Sequence, residues 1–168
     1  VPPESGFPYP SASKDVHHEV ELVVALKSGG SDIPVEKALD CVYGYAVGLD
    51  MTRRDLQNEM KKSGRPWEIG KAFDYSAPIG EIYPVASVAE IQQANISLAV
   101  NGAPKQQGNI NQLIWNVAET IANLSEFFEL KAGDLIFTGT PAGVGAVVKG
   151  DSVLAQIDGL GKIELVVV

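Results

Sequence analysis

The run from His17 to Lys27, HHEVELVVALK, limits the fold more than any other stretch of this chain. Its Val and Leu content and partial alternation read as a β-strand, which Gly29, Gly30 and Ser31 bring to an end. On a strand, side chains two apart share a face, so Glu19 and Glu21 project together while Val20 and Leu22 turn to the core. Two neighbouring carboxylates repel each other unless a cation or a shared proton compensates them. Oxygen donors of this kind favour Mg²⁺, Mn²⁺ or Ca²⁺ over zinc. Asp50, at the end of a second strand and just ahead of a helix, is placed to supply a third carboxylate. The plain alternative is the solvent face of a half-exposed sheet, with Asp50 as a turn or capping residue. His17 shares the parity of the two glutamates, as a ligand, a proton carrier or a surface histidine, and His18 faces the other way.

The remaining elements are short. Pro2, Pro3, Pro8 and Pro10, with Ser and Gly between them, give residues 1–15 an irregular or extended lead-in to a single domain over 16–168. Pro34 opens a short helix in PVEKALDCV, and Tyr43 to Asp50 returns to a Gly-punctuated strand. Thr52 and Asp55 suggest a capping arrangement for a helix through RRDLQNEMKK, followed by a loop through RPWEIGKAFDYSAPIG. Asn95 to Gly102 is a strand entering an Asn-Gly turn. After it, Leu113, Ile114, Val117, Ile121 and Leu124 recur at helical spacing within NQLIWNVAETIANLSEFFEL. DLIFTG, DSVLAQI and KIELVVV close the chain as strands. Strands with a few interspersed helices and no regular βαβ alternation indicate a mixed α/β, predominantly β, roll or sandwich.

Composition narrows the function. At 168 residues, 45% hydrophobic and 20% charged, the chain suits one domain with a sizeable core. A formal charge of −8 argues against a nucleic-acid partner, and an acidic ligand would need its charge met locally by a metal, Lys or Arg. Cys41 is the only cysteine, which excludes an intrachain disulfide or a Cys-based zinc site and fits a reducing cytoplasm. No apolar run has the length of a membrane span, and the first residues lack the basic and apolar regions of a signal peptide. The turn GTPAGVG has neither the GK[ST] ending of a P-loop nor GxGxxG, so it is not read as a nucleotide site. Trp67 and Trp115 read as packing residues.

Four segments in this order, HHEVELVVAL, GYAVGLDMTRRDLQ, GRPWEIGKAFDYSAPIG and GDLIFTGTPAGVG, resemble the fumarylacetoacetate hydrolase family. The likeness is greatest to its shorter acylpyruvate and fumarylpyruvate hydrolase branch, and it covers the chain from about Asp15 onward. The resemblance implies that family's β-roll or sandwich with flanking helices, and Mg²⁺ or Mn²⁺ held by Glu19, Glu21 and Asp50, with Ca²⁺ as a crystal substitute. It implies that Arg54, Gln57, Lys71 and Thr138 approach the substrate, Lys71 also acting in catalysis at a developing oxyanion. Each has a bland alternative: a solvated helix face for Arg54 and Gln57, a surface lysine for Lys71, a backbone-bound hydroxyl for Thr138.

The implied reaction is hydrolysis of a carbon–carbon bond in a 2,4-dioxo acid, fumarylpyruvate or another acylpyruvate, in aromatic catabolism. The alternatives are a metal-dependent oxaloacetate decarboxylase and a non-catalytic remnant that binds small acids. Charge and the lack of an apolar span argue against a nucleic-acid or membrane partner. The resemblance further implies a homodimer with the small acid as its ligand. It puts the water-activating histidine and glutamate in a segment upstream of the Pro-rich stretch, so the chain is expected to follow further residues rather than begin at Val1.

Overall fold

The computed structural model describes residues 6–168, so Pro2 and Pro3 of the Pro-rich lead-in lie outside the described residues. Among the described residues, eleven strands fall into three antiparallel sheets. The strand expected over His17 to Lys27 is broken at Glu19, giving β1 (Val16–His18) and β2 (Val20–Leu26). β2 lies between β3 (Val42–Leu49) and β8 (Leu135–Phe137), and β5 (Tyr83–Pro84) adds to β3. β1 lies between β4 (Thr52–Arg53) and β9 (Gly145–Val147). The third sheet has the order β11 (Lys162–Val166), β10 (Ser152–Ile157), β6 (Asn95–Val100), β7 (Ala103–Asn109).

Every residue of β2 is buried. Its even-numbered side chains, Val20, Leu22, Val24 and Leu26, join Val47 and Leu49 of β3 and Leu98, Val153 and Ile163 of the third sheet in one apolar core. Glu19 and Glu21 have the opposite parity, as the period-two pattern requires. The mixed, mainly β class expected from the sequence is the one observed.

Helices flank the sheets. α1 (Val35–Ala38) starts after Pro34 and α2 (Arg54–Lys62) follows β4. Among the described residues no side chain caps α2: Thr52 is fully buried in β4, and Asp55 instead accepts from Ser13 Oγ and Lys14 N. The expected capping arrangement is thus replaced by one that pins the lead-in. α3 (Val117–Phe127) is shorter than its apolar spacing predicts. Asn116 and Glu119 form a reciprocal capping box that starts the helix at Val117, and Asn109 with Gln112 does the same for a preceding 3-10 turn. Leu113 to Trp115 lie between the two, and Ile114 is 97% exposed.

β7 has no counterpart in the sequence reading. Its residues, APKQQGN, are polar and include Pro104, yet Asn101 and Gly102 at φ 52° and 76° make the tight turn that returns it along β6. β9 is likewise new: the sequence reading ends its loop GTPAGVG at Gly145 and assigns nothing to Ala146 and Val147. Where described, the lead-in is part extended and part turn: Phe7 and Tyr9 donate to the carbonyls of Val166 and Val168, and Ser11 and Ala12 then turn the chain. Trp67 and Trp115 are half exposed rather than packed, Trp67 with the Lys61 ammonium 5.2 Å above its ring. Among the described residues no helix is long and apolar enough to cross a membrane.

Candidate metal centre

The seam between two sheets builds the site. β1 and β2 are one run of chain interrupted at Glu19. β3 and β4 run beside them, with Asp50 and Met51 at the corresponding break. The Asp50 N–H donates to the Glu19 carbonyl at 2.9 Å, and Glu21 pairs with Gly48 two residues further along. Directly opposed residues share a face, so Asp50 stands beside Glu19 on the face that Glu21 also occupies. At that step the partner is a glycine without a side chain.

The result is a cluster of three carboxylates, one oxygen of each lying within 4.8 Å of the others. Glu19 and Glu21 are buried, 7% and 4% exposed. Two cations reach in from neighbouring elements. Arg54, first residue of α2, donates through Nη2 to Glu19 and through Nη1 to Gln57 at 2.6 Å. Lys71 donates to Glu19 at 2.7 Å and to Asp50 at 2.5 Å. The 3-10 turn ahead of it (Glu68–Gly70) lies against α2, where a Cβ on Gly70 would fall 2.8 Å from that of Gln57.

Among the described residues Glu21 has no cation of its own. Its hydrogen bond comes from the Gly139 N–H, at 2.8 Å. Burial raises its pKa to about 7, and Asp50 and Glu19 push the same way against the Gly139 bond. Burial also raises Asp50, against its bond to Lys71. For Lys71, burial favours the neutral amine, but the bonds to Asp50 and Glu19 outweigh it and raise its pKa, so the ammonium persists at neutral pH. Three carboxylates against two cations leave one negative charge, centred on Glu21. A set of oxygen donors, buried and short of positive charge, fits a hard divalent ion.

The chain between β8 and β9 closes one side. β8 pairs with β2 and β9 with β1, so residues 138–144 span the break at Glu19. Thr138 to Ala142 form one wall of a groove of about 860 Å³ with Ile96, Gln107, Leu113 and Trp115, which adjoins the carboxylates through the Gly139–Glu21 bond. The Thr138 hydroxyl donates to the Leu22 carbonyl at 2.9 Å, which ties β8 to β2. His17 bonds Asp15 at 2.9 Å, and buried His18 bonds Gln106 at 2.9 Å. Glu19, Glu21, Asp50, Arg54 and Lys71 therefore converge, with Gln57 behind Arg54, while neither histidine is part of the carboxylate cluster.

A family model for the C-terminal part of fumarylacetoacetate (FAA) hydrolase matches residues 1–168. The chain belongs to the fumarylacetoacetate hydrolase family. A Ralstonia fumarylpyruvate hydrolase is 46% identical over 159 residues, 95% of this chain and 82% of that protein. An Escherichia coli oxaloacetate tautomerase is 44% identical over 151 residues, 89% of this chain and 69% of that one. Among solved structures, Pseudomonas aeruginosa fumarylpyruvate hydrolase in complex with Mn²⁺ and pyruvate superimposes with a TM-score of 0.95. That likeness has 58% identity and covers 97% of this chain and 70% of the other.

Gln106 and Thr140 carry no sequence signal. Gln106 lies in a polar run without alternation, and Thr140 follows a Thr-Gly pair that draws attention to Thr138 instead.

Proposed function

We propose that this protein hydrolyses a carbon–carbon bond of a 2,4-dioxo acid, fumarylpyruvate or another acylpyruvate, to pyruvate and a carboxylic acid, as a step in aromatic catabolism. The observation that carries the reading is the buried carboxylate cluster, one charge short of neutrality, bordered by two cations. The fumarylpyruvate hydrolases among its relatives support it. Glu19, Glu21 and Asp50 would hold Mg²⁺ or Mn²⁺. Such an ion, when bound, supplies Lewis acidity toward neighbouring carbonyl and carboxylate oxygens.

The chain's own groups account for binding an anion at an acidic protein. An ammonium has three donors, and Lys71 uses two on Glu19 and Asp50, leaving a third for a substrate oxygen on which negative charge develops. Because its pKa is raised, Lys71 serves as an electrostatic stabiliser and not as a base. Arg54 keeps donors beyond those given to Glu19 and Gln57, and these would orient a carboxylate. Gln57 holds Arg54. Thr138 borders the groove with its hydroxyl already committed to Leu22. His17 and His18 are both engaged elsewhere, which favours the family's upstream histidine–glutamate pair as the group that activates water. The single cysteine and the family resemblance support a homodimer in the cytoplasm.

A second reading, enolate chemistry on oxaloacetate, has the tautomerase relative in its favour. Fumarylpyruvate, acetylpyruvate and oxaloacetate, each incubated with the Mn²⁺-loaded protein, separate the two. The expected result is loss of the acylpyruvate ultraviolet absorbance with release of pyruvate, abolished by chelator. Turnover of oxaloacetate alone would overturn the hydrolase reading.

A further inference from the structure

Gln106, on β7, has no solvent exposure, and a buried primary amide is costly to leave unmatched. All of its positions are filled. Its Oε1 lies 2.9 Å from His18 Nδ1 and 3.2 Å from the Val20 N–H. Its Nε2 lies 2.7 Å from Thr140 Oγ1 and 2.8 Å from the Pro141 carbonyl.

Two of these partners have only one possible role. The Val20 N–H can only donate, so the atom facing it is the amide oxygen, and the Pro141 carbonyl can only accept, so the atom facing it is the nitrogen. His18 therefore carries its proton on Nδ1. Thr140 Oγ1 accepts from Gln106, which leaves the hydroxyl hydrogen to point elsewhere. Thr140 lines the groove next to Gly139, whose N–H holds Glu21.

We propose that Gln106 is a positioning residue that makes the Thr140 hydroxyl a donor into the groove, while the same amide fixes the Val20 peptide between Glu19 and Glu21. One side chain thus sets a ligand-facing donor against the carboxylate strand. The inference rests on the reading of the site as one for acylpyruvates, whose carbonyl or carboxylate oxygens such a donor would meet.

Calorimetric titration with pyruvate, at Mn²⁺ saturating for each protein, tests it on the wild type, on Gln106→Glu, Thr140→Val and Thr140→Ser, and on the double variant that combines Gln106→Glu with Thr140→Val. Gln106→Glu keeps the acceptor for His18 and Val20 but gives Thr140 a carboxyl to donate to. Each of Gln106→Glu and Thr140→Val is expected to weaken pyruvate binding about tenfold, one ligand hydrogen bond. The double variant should bind no more weakly than either, and Thr140→Ser should bind like the wild type. If Gln106→Glu does not fold, Gln106→Met, which removes the donor that orients the Thr140 hydroxyl without offering it an acceptor, is expected to weaken pyruvate binding in the same direction by less than about tenfold, and wild-type affinity in it would overturn the role of Gln106. Wild-type affinity in Thr140→Val, or losses that multiply in the double variant, would overturn the role of Gln106 alone. Failure of the wild type to bind pyruvate would overturn the functional reading with it.

Discussion

At the scale of single residues, Glu21 concentrates the physics of the site. Its pKa in the folded, metal-free protein, about 7, stands above its ordinary 4.5. A carboxyl raised in this way contributes stability that is fully present below the unfolded value and is lost as pH rises through the folded one. Denaturant melts of metal-free protein at pH 5 and pH 8 should show a stability loss on the order of 2 kcal/mol that Glu21→Gln escapes. Equal pH dependence in both proteins would contradict the burial of an uncompensated charge. That the two glutamates share a side is legible from parity alone, because side chains two apart on a strand point the same way. Asp50 is legible only as a residue near a strand end, since its place beside Glu19 depends on a cross-strand register that one strand's sequence does not encode. Gln106 is not legible at all: its four partners come from separated segments of the chain.

At the scale of elements, the site exists because two adjacent strands break at the same level. Glu19 and Asp50 both lie where the chain leaves one sheet for another, and residues 138–144 cross the same seam from β8 to β9. Val and Leu content with partial alternation makes β2, β3 and β10 readable, whereas β7 has no alternation and owes its place to the Asn101-Gly102 turn. α3 starts later than its spacing predicts because Leu113 and Ile114 continue the apolar pattern, while the capping box at Asn116 decides where the backbone turns. Gly143 gives the sharpest test at this scale. It has φ +99°, and a Cβ there would stand 2.0 Å from the Lys105 carbonyl oxygen. Gly143→Ala must push the 138–144 chain off β7, where Gln106 clasps Thr140 and Pro141. A loss of at least about 2 kcal/mol in thermal or denaturant melts is expected, and an unchanged melt would contradict the close approach.

At the scale of the whole molecule, an acidic protein with a formal charge of −8 gathers Arg54 and Lys71 around a buried carboxylate cluster. With a divalent ion added to those two cations, the local charge would turn positive and let a small anion approach despite the overall field. The remaining negative charge asks for a cation, so metal binding should couple to folding: at a hundredfold excess over its dissociation constant, Mn²⁺ should stabilise the protein by about 2.7 kcal/mol. Titration of Mn²⁺ into the metal-free protein, followed by the loss of the free-ion paramagnetic resonance signal, tests the centre most directly. One ion bound per chain in the wild type and none in Glu21→Ala is the expected result, and tight binding that survives Glu21→Ala would contradict it.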